Sequence, residues 1–212
     1  MSNRPVVAVL DYGIGNLRSA QKALEHVGAD ARLSAAPTLI GDAAAVVLPG
    51  VGAFGRCAEA LAETGLDGVA AEAAEEASQG GRPFLGICVG LQLLHEGSQE
   101  APDRPGLGVL PGRVDLLAGN VKRPQMQWNR LDGDPDHPML AGVGGNPWVY
   151  FVHSYVAPVG EDTLATCDYG GPMCAALARG RLWATQFHPE KSGRPGLKIL
   201  ENFVRGLEDA QV

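Results

Sequence analysis

The chain has 212 residues, 45% of them apolar and 19% charged, enough apolar material for an α/β domain with a sizeable core. The formal net charge is −7 and no dense Lys/Arg run occurs, which argues against a nucleic-acid or anionic-membrane surface. The apolar run Val6–Leu10 is too brief for a signal-peptide core or a membrane span. Cysteines at 57, 88, 167 and 174, with no Cys-x-x-Cys pair, fit neither a disulfide framework nor a zinc spacing. A reduced, cytoplasmic protein without metal or cofactor is expected.

Val6-Val7-Ala8-Val9-Leu10 is continuously apolar and β-branched, as a strand buried on both faces should be. It runs into the turn-rich Asp11-Tyr12-Gly13-Ile14-Gly15-Asn16. A helix follows, with Leu17, Ala20, Leu24 and Val27 on one stripe and Gly28 as its stop. Asn16 stands at a cap position, and His26 at the other end is expected to be solvated. The two glycines of the turn do not complete a dinucleotide fingerprint, and no Gly-Lys-Ser/Thr follows them. Residues 31–34 read as a weaker strand. Residues 44–48 read as a strong one ending in Pro49-Gly50-Val51-Gly52. Residues 57–78 are predicted as helix interrupted near Gly65, with Cys57 a packing residue. A strand then enters Gly86-Ile87-Cys88-Val89-Gly90. The helix predicted after it places Gln92 and Glu96 on the face of Cys88, four and eight residues on. Either can line a pocket there, although exposure is the ordinary case. His95, roughly on the same side, reads as structural.

After Gln99 the texture changes to short alternating runs at 109–117, 148–152, 163–167, 175–177 and 182–187, with Arg179-Gly180 as a hairpin turn. These predict antiparallel strands extending a parallel core, hence a mixed sheet. Cys167 and Cys174 fall among them as core residues, and His137 lies in a loop. From Pro195 a last helix carries Leu197, Leu200, Val204 and Leu207 on one stripe. With no repeat, low-complexity tract or linker, one domain over 1–212 is expected.

The run into Gly86-Ile87-Cys88-Val89-Gly90 has the layout of a nucleophile elbow, with cysteine where the hydrolase version carries serine. The turn from strand to helix is tight, and a Cβ two residues either side of Cys88 would crowd neighbouring backbone. Unpaired N–H groups at the helix start and the macrodipole favour negative charge on the sulfur. The alternative is a buried small residue at a strand end. A cysteine nucleophile needs a base. His188 closes an apolar strand, Pro189 pushes it toward an extended conformation, and Glu190 two residues on can face the same side. The carboxylate can then orient the ring and stabilise imidazolium. The Pro-Gly-Val-Gly loop lies at the same strand end as Cys88 in a parallel sheet. It offers the N–H of Val51, beside that of Val89, to an oxyanion. This set describes acyl transfer. It fits amide hydrolysis generally, a cysteine peptidase or general hydrolase included; a non-catalytic subunit keeping the fold is disfavoured by the intact trio.

Gly86-Ile87-Cys88-Val89-Gly90-Leu91-Gln92 together with His188-Pro189-Glu190 resembles the signature of the class I, triad-type glutamine amidotransferases. Further stretches are Asp11-Tyr12-Gly13-Ile14-Gly15-Asn16-Leu17, Pro49-Gly50-Val51-Gly52-Ala53-Phe54, Tyr150-Phe151-Val152-His153-Ser154-Tyr155 and Gln186-Phe187-His188-Pro189-Glu190-Lys191-Ser192. These resemble the branch of that family formed by the glutaminase subunits of imidazole glycerol phosphate synthases, rather than those serving another synthase such as the pyridoxal phosphate one. The resemblance implies a flavodoxin-like α/β class I glutamine amidotransferase fold, with a parallel core sheet flanked by helices and added antiparallel strands, in a single domain. It implies glutamine as substrate and ammonia passed to a (β/α)8-barrel cyclase subunit in histidine biosynthesis. By the same resemblance Cys88, His188 and Glu190 are the triad. Gly52, Gln92, Ser154 and Tyr155 hold glutamine, and His153 is structural. Asn16, Met126, Trp128, Asn129 and Lys191 lie toward the cyclase. One segment departs from the family: Gln125-Met126-Gln127 stands where His-Met-Gly is usual, so the local backbone or its packing is expected to differ there.

Overall fold

The computed structural model describes residues 4–208. In chain order its elements are β1 (Val6–Leu10), α1 (Leu17–His26), β2 (Asp30–Ser34), α2 (Pro37–Asp42), β3 (Ala45–Gly50), α3 (Phe54–Glu63), α4 (Leu66–Ser78), β4 (Phe84–Cys88), α5 (Val89–Leu93), β5 (His95–Ser98), β6 (Ala101–Pro105), β7 (Leu110–Leu116), β8 (Gln125–Arg130), β9 (Asp132–Gly133), β10 (Trp148–His153), β11 (Tyr155–Val156), β12 (Thr163–Asp168), β13 (Pro172–Arg179), β14 (Leu182–Thr185) and α6 (Gly193–Glu208).

The apolar runs become the centre of an eight-stranded sheet of order β2-β1-β3-β4-β14-β13-β12-β9. The five strands from β2 to β14 pair in parallel. The remaining pairings are antiparallel. This is the mixed sheet expected from the change of texture after residue 99. Strands β3 and β4 are buried from end to end, which a half-exposed strand could not be without stranding apolar side chains in water. Helix α1 packs against α6, and α3 against α4, each turning its apolar stripe inward: Leu17, Ala20, Ala23 and Leu24 in α1, Phe54, Cys57, Ala60 and Leu61 in α3. The break near Gly65 is real, and its φ of 68° is one that glycine adopts at little cost. Cys57, Cys167 and Cys174 are all buried, as expected of packing residues, and His26 is exposed. Among the described residues no helix is long and apolar enough to cross a membrane.

Two smaller sheets flank this core: a four-stranded one of order β11-β7-β5-β6, and the two-stranded ribbon β8–β10. They correct the sequence reading in one place. The helix after Cys88 ends at Leu93, and His95 and Glu96 lie on β5, not on its continuation. Pairing of His95 with Leu110 and of Ser98 with Val114 on β7 overrides the local helical pattern. Glu96 therefore leaves the face of Cys88; its carboxylate accepts from the Gly112 backbone N–H at 3.1 Å, on the surface.

Candidate active site

Strands β3, β4 and β14 are parallel neighbours, so the segments that follow them meet at the carboxyl ends of the strands, where open α/β sheets bind ligands. Cys88 ends β4 with φ 56° and ψ −110°, a region that non-glycine residues rarely occupy. The sharp turn is packed as tightly as the sequence implied. A Cβ on Gly90 would stand 1.9 Å from the Leu48 carbonyl oxygen, and one on Gly86 would stand 3.0 Å from the Gly90 carbonyl oxygen. A Cβ on Gly50 would stand 2.8 Å from Gly90 N, so the loop at 49–52 lies directly against the elbow. Helix α5 has only five residues, too short for the macrodipole to do what a long helix would.

The electrostatics come instead from the segment after β14. The His188 backbone N–H donates to the Tyr150 carbonyl at 3.0 Å, and its carbonyl accepts from the Ser192 hydroxyl at 2.6 Å. His188 itself is extended, at φ −95° and ψ 99°. Glu190 is not in an extended segment: Pro189–Lys191 form a 3-10 turn, which swings the carboxylate back under the ring. His188 Nδ1 and Glu190 Oε1 are 2.8 Å apart, with the two side chains 1% and 4% exposed. Burial opposes the imidazolium, but the neighbouring Cys88 sulfur and the Glu190 carboxylate outweigh it and hold the His188 pKa up at about 9. Nε2 makes no hydrogen bond among the described residues. Cys88 takes a hydrogen bond from the Gln186 side-chain amide at 3.6 Å.

A cavity of about 360 Å³ opens over this group. Of the residues expected at the site, Cys88, His188, Val51, Val89, Gly52, Gln92, Ser154, Tyr155, Asn16 and Lys191 line it, with Glu190 behind His188. Asn16 occupies the cap position of α1, but its side chain makes no capping hydrogen bond and is left to the cavity. His153 also borders it; burial pushes its pKa down to about 4, against the pull of the Tyr155 carbonyl, so the ring is neutral. Reading the sequence missed Glu100, Pro124 and Val152. Glu100 sits in a polar stretch with no motif, and its carboxylate accepts from the Phe54 N–H at 2.7 Å, at the start of α3. Among the described residues no cluster of His, Cys, Asp or Glu is placed to hold a metal. A cavity of equal volume between Pro83, Trp183 and Phe203 is lined by groups already engaged. Arg181 donates to the Gly81 and Gly206 carbonyls, and Asn202 to those of Met139 and Ala141.

Met126 and Trp128 are not in the cavity but beside it, on the outer face of the β8–β10 ribbon, 61% and 47% exposed. Register pairs Trp128 with Tyr150 and Arg130 with Trp148, so this face is largely aromatic. The rings of Trp128 and Tyr150 meet edge-on at 6.0 Å, and Arg130 lies over Trp148 at 5.5 Å. Asn129 follows Trp128 on the same strand. Side chains alternate along a strand, and its amide turns inward to the Asp168 carbonyl at 2.9 Å and the Cys167 sulfur at 3.2 Å.

A buried sulfur on a strained turn, an imidazole with a carboxylate behind it and a solvent-accessible cavity together can perform nucleophilic acyl transfer. The family model for class-I glutamine amidotransferases matches residues 8–207. The imidazole glycerol phosphate synthase subunit HisH of Deinococcus radiodurans is 47% identical over 210 residues, covering 97% of this chain and 96% of that protein. The HisH subunit of Synechococcus elongatus is 46% identical over 218 residues, covering 100% and 98%. A solved glutamine amidotransferase shares the fold with a TM-score of 0.71 at 24% identity, covering 94% of this chain and 98% of its own. The chain thus belongs to the class I glutamine amidotransferase family, in the branch formed by the HisH subunits of imidazole glycerol phosphate synthase.

Proposed function

We propose that the cavity over Cys88 hydrolyses glutamine to glutamate and ammonia through a thioester, as the glutaminase half of an imidazole glycerol phosphate synthase. The observation that carries the reading is the convergence of Cys88, His188 and Glu190 from two neighbouring strands on one cavity. The Cys88 sulfur attacks the carboxamide carbon of glutamine. The backbone N–H groups of Val51 and Val89 take the resulting oxyanion. Imidazolium at His188 gives its Nε2 proton to the departing nitrogen, the C–N bond breaks, ammonia leaves, and the acyl group stays on sulfur. The neutral ring then takes a proton from water, whose oxygen attacks the thioester; collapse releases glutamate and returns the sulfur. Glu190 keeps the ring oriented and offsets its charge throughout. Gly52, Gln92, Ser154 and Tyr155 are the side of the cavity assigned to glutamine.

As a synthase subunit the chain works with a partner, and the partner proposed is a (β/α)8-barrel cyclase in the cytoplasm. Ammonia set free in water would mostly protonate and cease to be a nucleophile, so a dry handover to a docked subunit is the economical arrangement. The exposed Met126/Trp128 face beside the cavity mouth is the docking surface in this reading, with Asn16 and Lys191 at its inner edge. The test is co-purification with the candidate cyclase and a glutaminase assay with and without the cyclase's nucleotide substrate. Turnover rising strongly only in the loaded complex is expected. Full turnover by the isolated chain would overturn partner gating, and no turnover in any state would overturn the glutaminase reading.

A further inference from the structure

Four buried polar side chains and one half-buried backbone carbonyl form a continuous line between the outer ribbon and the nucleophile. Gln186 is fully buried, and its Nε2 donates to the Cys88 sulfur at 3.6 Å. Its Oε1 accepts from Gln92 Nε2 at 3.0 Å. The other hydrogen of that Gln92 amide goes to the Tyr155 carbonyl at 2.9 Å. The same carbonyl faces His153 Nδ1 at 2.8 Å, which fixes the ring proton on Nδ1. His153 Nε2 is then an acceptor. The Gln125 side-chain oxygen is placed 3.0 Å from it and the amide nitrogen 3.8 Å from the Cys167 sulfur; the carboxamide turned end for end puts its nitrogen on the ring, the orientation that an acceptor there calls for. Gln125 is fully buried and opens β8, one residue before the 61% exposed Met126.

Burial gives this line its meaning. The four side chains have lost nearly all contact with water and depend on their neighbours, so a shift at one end leaves a buried polar group unpaired unless the rest follow. A solvated chain of the same residues would transmit nothing, because water would repair each break. Gln92 spends both amide hydrogens inside the protein, so the glutamine side of the cavity belongs to the same unit. We propose that Gln186 positions the Cys88 sulfur, and that the line through Gln92, Tyr155 and His153 to Gln125 makes the state of the Met126/Trp128 ribbon a determinant of that position. The inference rests on the reading that this ribbon is the docking surface and Cys88 the nucleophile.

The test reads Cys88 directly, by the rate of its carbamidomethylation with iodoacetamide, followed peptide by peptide in the isolated chain and in the complex with the synthase partner. Gln186→Met keeps the volume and removes the donor; Cys88 alkylation is expected to slow at least tenfold in the isolated chain, with the melting temperature little changed. An unchanged rate in a folded Gln186→Met protein overturns the positioning role. Gln125→Met tests the far end and stands if the first variant does not fold. Partner binding is expected to change the wild-type rate several-fold, and Gln125→Met to bring that ratio close to one without weakening partner affinity. A wild-type ratio of one, or a wild-type ratio retained in Gln125→Met, overturns the coupling. Failure of the underlying reading looks different: wild-type Cys88 would then be no more reactive than Cys57, and the wild-type complex would not hydrolyse glutamine.

Discussion

His188 Nδ1 and Glu190 Oε1 are held 2.8 Å apart by a 3-10 turn, so the two residues meet because the chain bends between them. Glu190 Oε2 is buried with no hydrogen-bond partner among the described residues, which commits the carboxylate to the ring. Glu190→Gln keeps the shape and removes the charge. The amide can still accept from Nδ1–H, but it no longer offsets an imidazolium. Glutaminase kcat in the complex is expected to fall about 10²- to 10⁴-fold, with KM for glutamine changed far less. Retention of more than half the wild-type kcat would show that the carboxylate is not needed.

The same pair makes stability depend on pH. The His188 pKa is raised from 6.5 to about 9 in the folded protein. A raised folded pKa contributes stability that is complete below 6.5 and is lost as pH rises through about 9. At about 1.4 kcal/mol per unit the contribution is on the order of 3 kcal/mol. Urea midpoints measured from pH 6.5 to 9.5 are expected to fall across that window in the wild type. The fall should be smaller in Cys88→Ala and in Glu190→Gln, because each removes one of the two groups that favour imidazolium.

Cys88→Ala separates chemistry from scaffold. Glutamine-dependent synthesis by the complex is expected to vanish, while synthesis supplied with ammonium chloride persists at the wild-type rate. Loss of both would mean that Cys88 holds the structure together and the nucleophile lies elsewhere.

The elbow was legible because its steric demand is written in residue types: a Cβ is excluded at 90 and crowded at 86. The His188–Glu190 pair was legible in part: His188 is extended before Pro189 as expected, but Glu190 comes beside it through a 3-10 turn rather than through the two-residue period of an extended chain. Parallel strands announced themselves by unbroken apolar runs. Strands β5, β6 and β8 did not, because Glu96, Asp103 and Gln127 owe their places to partners distant in sequence and carry no local period. The hydrogen bonds of Asn129 to Cys167 and Asp168 carry no local signal either, because which way a residue faces depends on register. The role of Gln186 was hidden inside a motif quoted for its histidine.

Gly90→Ala is expected to be the most damaging single methyl group in the chain. Its Cβ would lie 1.9 Å from a backbone oxygen of β3, which cannot move without dislodging the loop at 49–52. A cost of about 3 kcal/mol or a failure to fold follows. Gly86→Ala, with a 3.0 Å contact, is expected to fold with a smaller loss. Chemical denaturation of both variants checks the order, and equal losses would mean that the elbow relaxes freely.

The loop carrying Val51 is held from beneath on both sides of the peptide whose N–H is proposed to meet the oxyanion. The Tyr12 hydroxyl donates to the Pro49 carbonyl at 2.6 Å, fixing the peptide before it. The Cys57 thiol donates to the Val51 carbonyl at 3.4 Å, fixing the peptide after it. Both groups are buried and burial pushes their pKa values up, so each remains a neutral donor. Between two anchored peptides the Gly50–Val51 unit has one hinge of freedom, and its direction is what oxyanion binding depends on. Tyr12→Phe removes one anchor without a change of shape. It is expected to cost about 1–2 kcal/mol of stability and to lower glutaminase kcat in the complex about tenfold, with KM for glutamine and ammonia-dependent synthesis unchanged. Cys57→Ala should act in the same direction, and Cys57→Ser, which restores a donor, should recover most of the rate. If both Tyr12→Phe and Cys57→Ala lose stability but keep wild-type kcat, the two residues hold the loop in place without setting the direction of the Val51 N–H.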